Sequence, residues 1–181
     1  MTGALSDTAA LETERMVLRA PQAGDEAHMM PFAMSPRAQF IGGGADCDAG
    51  HAWRIMATIM GHWTIRGYGT FVLIDKQSGA PVGSAGPWHP GNWPEEELGW
   101  TIWKSDYEGK GYAHEAMLTL RRHAYGDLGW HTAVSYIDPK NARSIALAER
   151  LGCTRDDEAT IPYPDRPCLV YRHPSPAEVL A

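Results

Sequence analysis

The stretch that most restricts the fold runs from Glu96 to Gly129: "EELGWTIW", then "KSDYEGKG", then "YAHEAMLTLRRHAYGDLG". The first part (96–103) reads as a strand. In the last, Ala113, Ala116, Met117, Leu120, Ala124 and Leu128 recur at helical spacing on one face, and Gly129 stands where a C′ glycine would. Gly109 and Gly111 flank Lys110 in the short loop between them. The helix begins at about Tyr112, so its first unpaired N–H groups point back into that loop.

The rest of the chain alternates in the same manner. "RMVLRA" (15–20) reads as a strand, and "GDEAHMMPFAM" (24–34) as a short helix opening with the acidic residues that the helix dipole favours. "HAWRIMATIMGHWTIRG" sets Trp53, Met56, Ile59, Met60 and Trp63 at helical spacing, with Gly67 to end the helix. "TFVLID" (70–75), the turn "KQSG" and "PVGSAGPW" (81–88) read as a hairpin. "HTAVSYI" (131–137) is β-rich, and "DPKNARSIALAERLG" is a loop feeding a helix with Asn141 as N-cap and Gly152 past its end. Strands near 153–160 and 167–172 close the chain. Such interleaving implies an α/β or α+β fold, a mixed sheet with helices on its faces. No repeat or long linker divides the 181 residues, so one domain over 1–181 is expected, with 1–11 and 174–181 as frayed tails.

Composition excludes several function classes. A net charge of −6 leaves no basic excess for a phosphate backbone, so no nucleic-acid partner is expected. Apolar runs such as "FVLI" (71–74) fall far short of the ~20 residues that span a bilayer. The N-terminus has no positive start followed by an apolar block, so neither a membrane partner nor secretion is expected. Cys47, Cys153 and Cys168 are odd in number and widely spaced, which suggests neither a disulfide framework nor a zinc knuckle and makes the cytoplasm the simplest location. "HEAML" (114–118) carries Leu118 where a zinc helix needs its second histidine, and no metal is expected.

Taken alone, "EGKGYAHEA" (108–116) is either a tight turn or an anion cradle made of glycine backbone, a helix N-terminus and Lys110. A Walker A loop would need Ser or Thr where Gly111 stands, and a dinucleotide fingerprint would need a small residue where His114 stands.

"ELGWTIWKSDYEGKGYAHEA", followed by "DPKNARSIALAERLG" with Gly111 and Asn141 thirty positions apart, resembles the GNAT acyltransferase superfamily. It looks most like the branch that includes the ribosomal-protein N-terminal acetyltransferases. The likeness extends from "LETERMVLRAP" through "GHWTIRGYGTFVLID" to "CLVYR". It implies a mainly antiparallel central sheet with a splayed central strand pair, and acetyl-CoA as acyl donor. The family's pyrophosphate signature falls on Glu108, Gly111 and Ala113, and Glu108 departs from its usual Arg or Gln. By resemblance the cofactor is held by the backbone of Gly109, Lys110, Gly111, Tyr112 and Ala113, with Lys110, Lys140, Arg143 and Arg150 as phosphate partners. Each of these charges is also readable as a plain surface charge. Asn141 looks like the asparagine that contacts the pantetheine arm, and Ser144 sits where this branch places a hydroxyl near the sulfur. Both are equally readable as an N-cap and a first-turn serine. A tyrosine used elsewhere in the family is replaced by Ala148. The resemblance also implies a bulged strand whose backbone N–H meets the thioester oxygen; here it is Gly99 to Trp103, which adds Ile102 and Trp103 to the cofactor-binding residues.

Acyl transfer to an amine needs a neutral amine, an oxyanion donor and protonation of the departing thiolate. Glu97 is the first choice of base and His89 the second, while Ser144, or a water it holds, is the choice of acid. Glu97 is otherwise a solvated charge in the run Glu95 to Glu97. An α-amine of pKa ~8 is already about one-tenth neutral at pH 7, so the base needs only modest strength for such an acceptor. Trp88, Trp93, Trp100 and Trp103 flank the strands that would border an acceptor cleft, most of them as packing residues. The expected function is acetyl-CoA-dependent N-acetyl transfer to a primary amine, either a protein N-terminus or a small molecule, by direct attack in a ternary complex. The alternative is a non-catalytic acyl-CoA-binding or sensing module, motivated by Glu108 and the missing tyrosine. The oligomeric state is left open, a homodimer included.

Overall fold

The computed structural model describes residues 10–181. Along the chain come β1 (Leu11–Glu12), β2 (Met16–Arg19), α1 (Glu26–Ala33), a 3-10 turn (Pro36–Ala38) and α2 (Ala49–Arg66). They are followed by β3 (Phe71–Asp75), β4 (Pro81–Trp88), β5 (Glu97–Ile102), a second 3-10 turn (Ser105–Tyr107), α3 (Tyr112–Gly126) and β6 (Val134–Ile137). The chain closes with α4 (Ala142–Arg150), β7 (Thr154–Arg155), β8 (Leu169–Arg172) and α5 (Pro176–Leu180).

The strands form one sheet in the order β1-β2-β3-β4-β5-β6-β8-β7. All neighbours are antiparallel except β5 and β6, which α3 connects as the crossover that parallel strands require. That parallel pair holds at one bridge only, Glu97 opposite Val134, and beyond it the strands part. At the root of the opening, Ser135 Oγ donates to Leu98 O at 2.6 Å and takes a hydrogen bond from His173 Nε2 at 3.0 Å. The mainly antiparallel sheet with a splayed central pair is therefore present as expected.

Alternation along β3 divides the core. Phe71 and Leu73 face one side, where Met117, Leu120 and Ala124 of α3 pack on Val82 and Leu98. Val72 faces the other, with Met29 and Phe32 of α1, Ala52 and Met56 of α2, and Trp103. Helices thus cover both faces, and each fully buried large apolar side chain contributes roughly 1.5–3 kcal/mol.

Four expectations are corrected. The β4–β5 ladder is unbroken from Gly83↔Ile102 to Trp88↔Glu97, so the register shift is not on β5. It lies between β3 and β4, where Val82 is skipped, and Val82 O accepts instead from the N–H of Trp103 at 2.8 Å. Trp53 does not join the apolar stripe of α2: it is 59% exposed, while Ala52, Met56 and Trp63 face inward. Residues 174–181 do not fray, because Ser175 and Glu178 form a capping box on α5 and Tyr125 Oη of α3 donates to Pro174 O at 2.9 Å. At the other end Leu11 pairs with Leu18, while residues 1–9 of the expected tail lie outside the described residues.

Candidate active site

The loop before α3 is shaped by its glycines. Gly109 and Gly111 have φ of 70° and 83°, values that a side chain would strain, and Gly111 is the N-cap of α3. The first helical hydrogen bond is Glu115 N–H to Gly111 O at 3.0 Å, which leaves the N–H groups of Tyr112, Ala113 and His114 without helical partners. The loop is braced from the sheet. Arg15 donates to Lys110 O (2.9 Å) and to Glu115 Oε2 (2.7 Å), and lies 4.2 Å from the Tyr112 ring centroid. Tyr112 Oη donates to Asp75 Oδ1 at 2.9 Å, and Tyr107 Oη to Asp75 Oδ2 at 3.3 Å. A braced backbone with open N–H groups at a helix N-terminus suits an anion such as a pyrophosphate.

Glu108, the departure from the expected pattern, is not an isolated negative charge. Its carboxylate accepts from Arg37 Nε at 2.9 Å and is paired also with Arg37 Nη2 and Arg143 Nη1. Burial works to raise this carboxyl, and the two guanidinium groups more than offset it, holding it below the ordinary carboxylate range. Arg37 does more: its Nη1 and Nη2 donate to the carbonyls of Trp103 (2.7 Å) and Ile102 (2.8 Å). One side chain thus ties the end of β5 to the glycine loop.

The opening between β5 and β6 is the floor of a cleft of about 740 Å³. Trp103 N–H bonds β4, so strand alternation turns the N–H groups of Trp100 and Ile102 the other way, into the opening. Glu97 stands at the root of the splay, lines the cleft, and accepts from Trp93 Nε1 at 2.5 Å. Burial pushes its carboxyl up to about 7, against the lowering effect of Trp93 and of the Tyr136 backbone N–H. Ser144, in the first turn of α4, lines the same cleft and its Oγ accepts from Trp100 Nε1 at 3.3 Å. Asn141 Oδ1 caps α4 by accepting from Ser144 N–H at 3.2 Å, so the plain N-cap role is filled while the residue still lines the cleft.

The structure therefore gathers Glu97, Trp103, Asn141 and Ser144 in one cleft, with Gly109 to Ala113 in the loop beside α3 and Arg143 joined to that loop through Glu108. Trp88, Trp93, Trp100 and Trp103 all line the cleft, more than packing alone predicts. Trp103 keeps only its side chain for a ligand, since its N–H goes to Val82 and its carbonyl to Arg37. His89 stands apart from the cleft lining, with its ring on the carbonyl of Trp93 at 3.2 Å. Lys110 and Lys140 are exposed, and Arg150 lies in the last turn of α4, at the end away from Asn141. Arg37 and Tyr136 are additions that local spacing does not reveal. The Tyr136 phenol, also on the cleft wall, is pushed up to about 12 by burial and by Glu95 and Glu97. Among the described residues no group of three or more His, Cys, Asp or Glu could hold a metal, and no helix is long and apolar enough to cross a membrane.

A mixed sheet opened at its one parallel pair, with a glycine loop beside the opening, is an acyltransferase architecture. The chain matches the acetyltransferase (GNAT) domain over residues 15–154. It also aligns with the acetyltransferase from Agrobacterium tumefaciens str. C58 at 35% identity and a TM-score of 0.84, covering 93% of this chain and 96% of that one. The chain belongs to the GNAT acetyltransferase family. The fold is shared further with a ribosomal-protein-S5-alanine acetyltransferase from Vibrio fischeri (15% identity, TM-score 0.69, 93% and 97% covered). It is shared too with a spermidine N-acetyltransferase from Vibrio cholerae in complex with CoA and spermine (17% identity, TM-score 0.70, 92% and 99% covered).

Proposed function

We propose that the protein transfers an acetyl group from acetyl-CoA to a primary amine by direct attack within a ternary complex. The observation that carries this reading is the position of Glu97. A carboxyl with a pKa of about 7 stands in the same cleft as a serine hydroxyl, at the root of the strand opening.

Acetyl-CoA supplies an activated acetyl thioester. The residues present fit it: the loop from Gly109 to Ala113 would hold the pyrophosphate, Arg143 and Arg37 would lend positive charge, and Asn141 would meet the pantetheine arm. Glu97, about half ionised near neutral pH, takes the proton from the attacking amine. The N–H groups of Trp100 and Ile102, turned into the opening, are the donors for developing negative charge on oxygen. Ser144 gives a proton to the departing thiolate, whose pKa of ~8.5 makes a hydroxyl or a held water sufficient. Cys168, the thiol that lines the cleft, is shifted upward by burial, which supports direct attack over a thiol intermediate.

The non-catalytic reading rests on the charge of Glu108 and on Ala148 standing in place of a tyrosine. Two arginines on that carboxylate weaken the electrostatic objection, so the enzymatic reading is the stronger. The test is release of CoA in step with acetylation of an added amine.

A further inference from the structure

The wall of the cleft beyond Glu97 has a definite charge pattern. Trp93, whose indole N–H bonds Glu97, meets Tyr163 edge to face, with ring centroids 5.6 Å apart at 89°. The guanidinium carbon of Arg166 lies 5.0 Å over the Tyr163 ring, and the Arg166 backbone N–H closes a turn on Tyr163 O at 3.0 Å. Among the described residues Arg166 is the only lysine or arginine that lines the cleft, and its side chain makes no ion pair with any of them. The carboxylates on the lining are Glu97 and Asp138. Glu97 is about half neutral at pH 7, and Asp138 accepts from Lys140 N–H at 2.8 Å in the turn that enters α4, on the side of Asn141 and Ser144. Nearby Glu95 is already held by Arg172, at 2.7 and 3.0 Å.

Resting on the acetyl-transfer reading above, we propose that the acceptor is an amine whose far end carries an anionic group, a carboxylate or phosphate, bound by Arg166 across the aromatic wall from Glu97. In the run of contacts from Glu97 through Trp93 and Tyr163 to Arg166, the two rings lie between the carboxyl and the guanidinium. Amine and anion are therefore separated by an apolar body and not borne on one carbon. A guanidinium without a partner is the natural mate of such an anion. A polyamine meets the opposite situation, since its second ammonium would approach Arg166 with no second carboxylate on that wall to receive it.

The test compares 4-(aminomethyl)benzoate and 4-(aminomethyl)phenylphosphonate with benzylamine and spermidine, in wild type and in Arg166→Ala and Arg166→Glu. CoA release and, separately, calorimetric binding to the CoA-loaded protein are read. The expected result is a kcat/KM or Kd at least tenfold better for one of the anionic amines than for benzylamine. The better of the two distinguishes carboxylate from phosphate as the natural group. Arg166→Ala brings the ratio near one, and Arg166→Glu inverts it. Equal use of charged and neutral amines, a ratio unchanged in the variants, or a preference for spermidine overturns the proposal while leaving acetyl transfer standing. If no amine is turned over, the acetyl-transfer reading fails, and the binding ratio still decides on Arg166.

Discussion

Trp100 Nε1 lies 3.3 Å from Ser144 Oγ, so the indole donates to the hydroxyl oxygen and leaves the hydroxyl's own hydrogen free to be given away. The contact links β5 to α4 across the opening and fixes where the serine points. Ser144→Ala is expected to lower kcat about ten- to a hundredfold, at or below the low end of general-acid effects because the leaving group is undemanding. Acetyl-CoA affinity should barely change. Unaltered turnover would remove Ser144 from the mechanism.

The Trp93 indole lowers the Glu97 pKa against the burial that raises it. Trp93→Phe removes a hydrogen bond to a charged group, worth about 1.5 kcal/mol, and so moves the pKa upward by roughly one unit. The rising limb of kcat/KM near pH 7 should shift to higher pH by that amount in the variant and be absent in Glu97→Gln. A limb that stays in place in both variants would mean another group is titrating.

Glu97 also links stability to pH. Its folded value of about 7 lies above the ordinary 4.5, so the folded state holds the proton more tightly than the unfolded chain. The corresponding stability is present in full below pH 4.5 and is lost as pH rises through 7. Glutamine keeps an oxygen for Trp93 and cannot ionise. Glu97→Gln should therefore gain about 3 kcal/mol relative to wild type as pH rises from 4.5 to 7, at about 1.4 kcal/mol per pH unit, with little further change above that. Urea unfolding across that range checks it, and a constant difference would contradict the assigned burial.

Glu108 holds two guanidinium groups beside the glycine loop. Glu108→Gln removes one negative charge and releases Arg37 and Arg143 from it. Acetyl-CoA should bind several-fold more tightly at low salt, with the gain shrinking as ionic strength rises. Calorimetry at two salt concentrations measures this. Weaker binding at both would show that the carboxylate positions the arginines and does not compete for them.

What the sequence makes legible is what local spacing encodes. Gly109 and Gly111 announce left-handed turns, the 3.6 period announces α3, and Asn141 three residues before Ser144 announces a cap. Those features place the loop and the start of α4. Arg37 is invisible in this way, because it meets Glu108 from 71 residues away and nothing local marks it. Arg166 depends likewise on where a loop folds back over Tyr163. Periodicity gives the existence of the apolar stripe on α2 but not its centre. The contact with the sheet centres it on Ala52, Met56 and Trp63 and leaves Trp53 outside. The C-terminal helix did carry a readable signal, the capping box of Ser175 and Glu178, which outweighs the tendency of termini to fray.

Acetyl transfer itself is decided by incubating the purified protein with acetyl-CoA and a panel of peptides, amino acids, polyamines and aminoglycosides, with thiol detection and mass analysis of the amines. CoA and acetylated amine should form in equal amounts for at least one acceptor, with Glu97→Gln impairing high-pKa amines more than α-amines. Thermal stabilisation by acetyl-CoA with no CoA released on any amine would rule out acetyl transfer to these acceptors and identify a binding module instead.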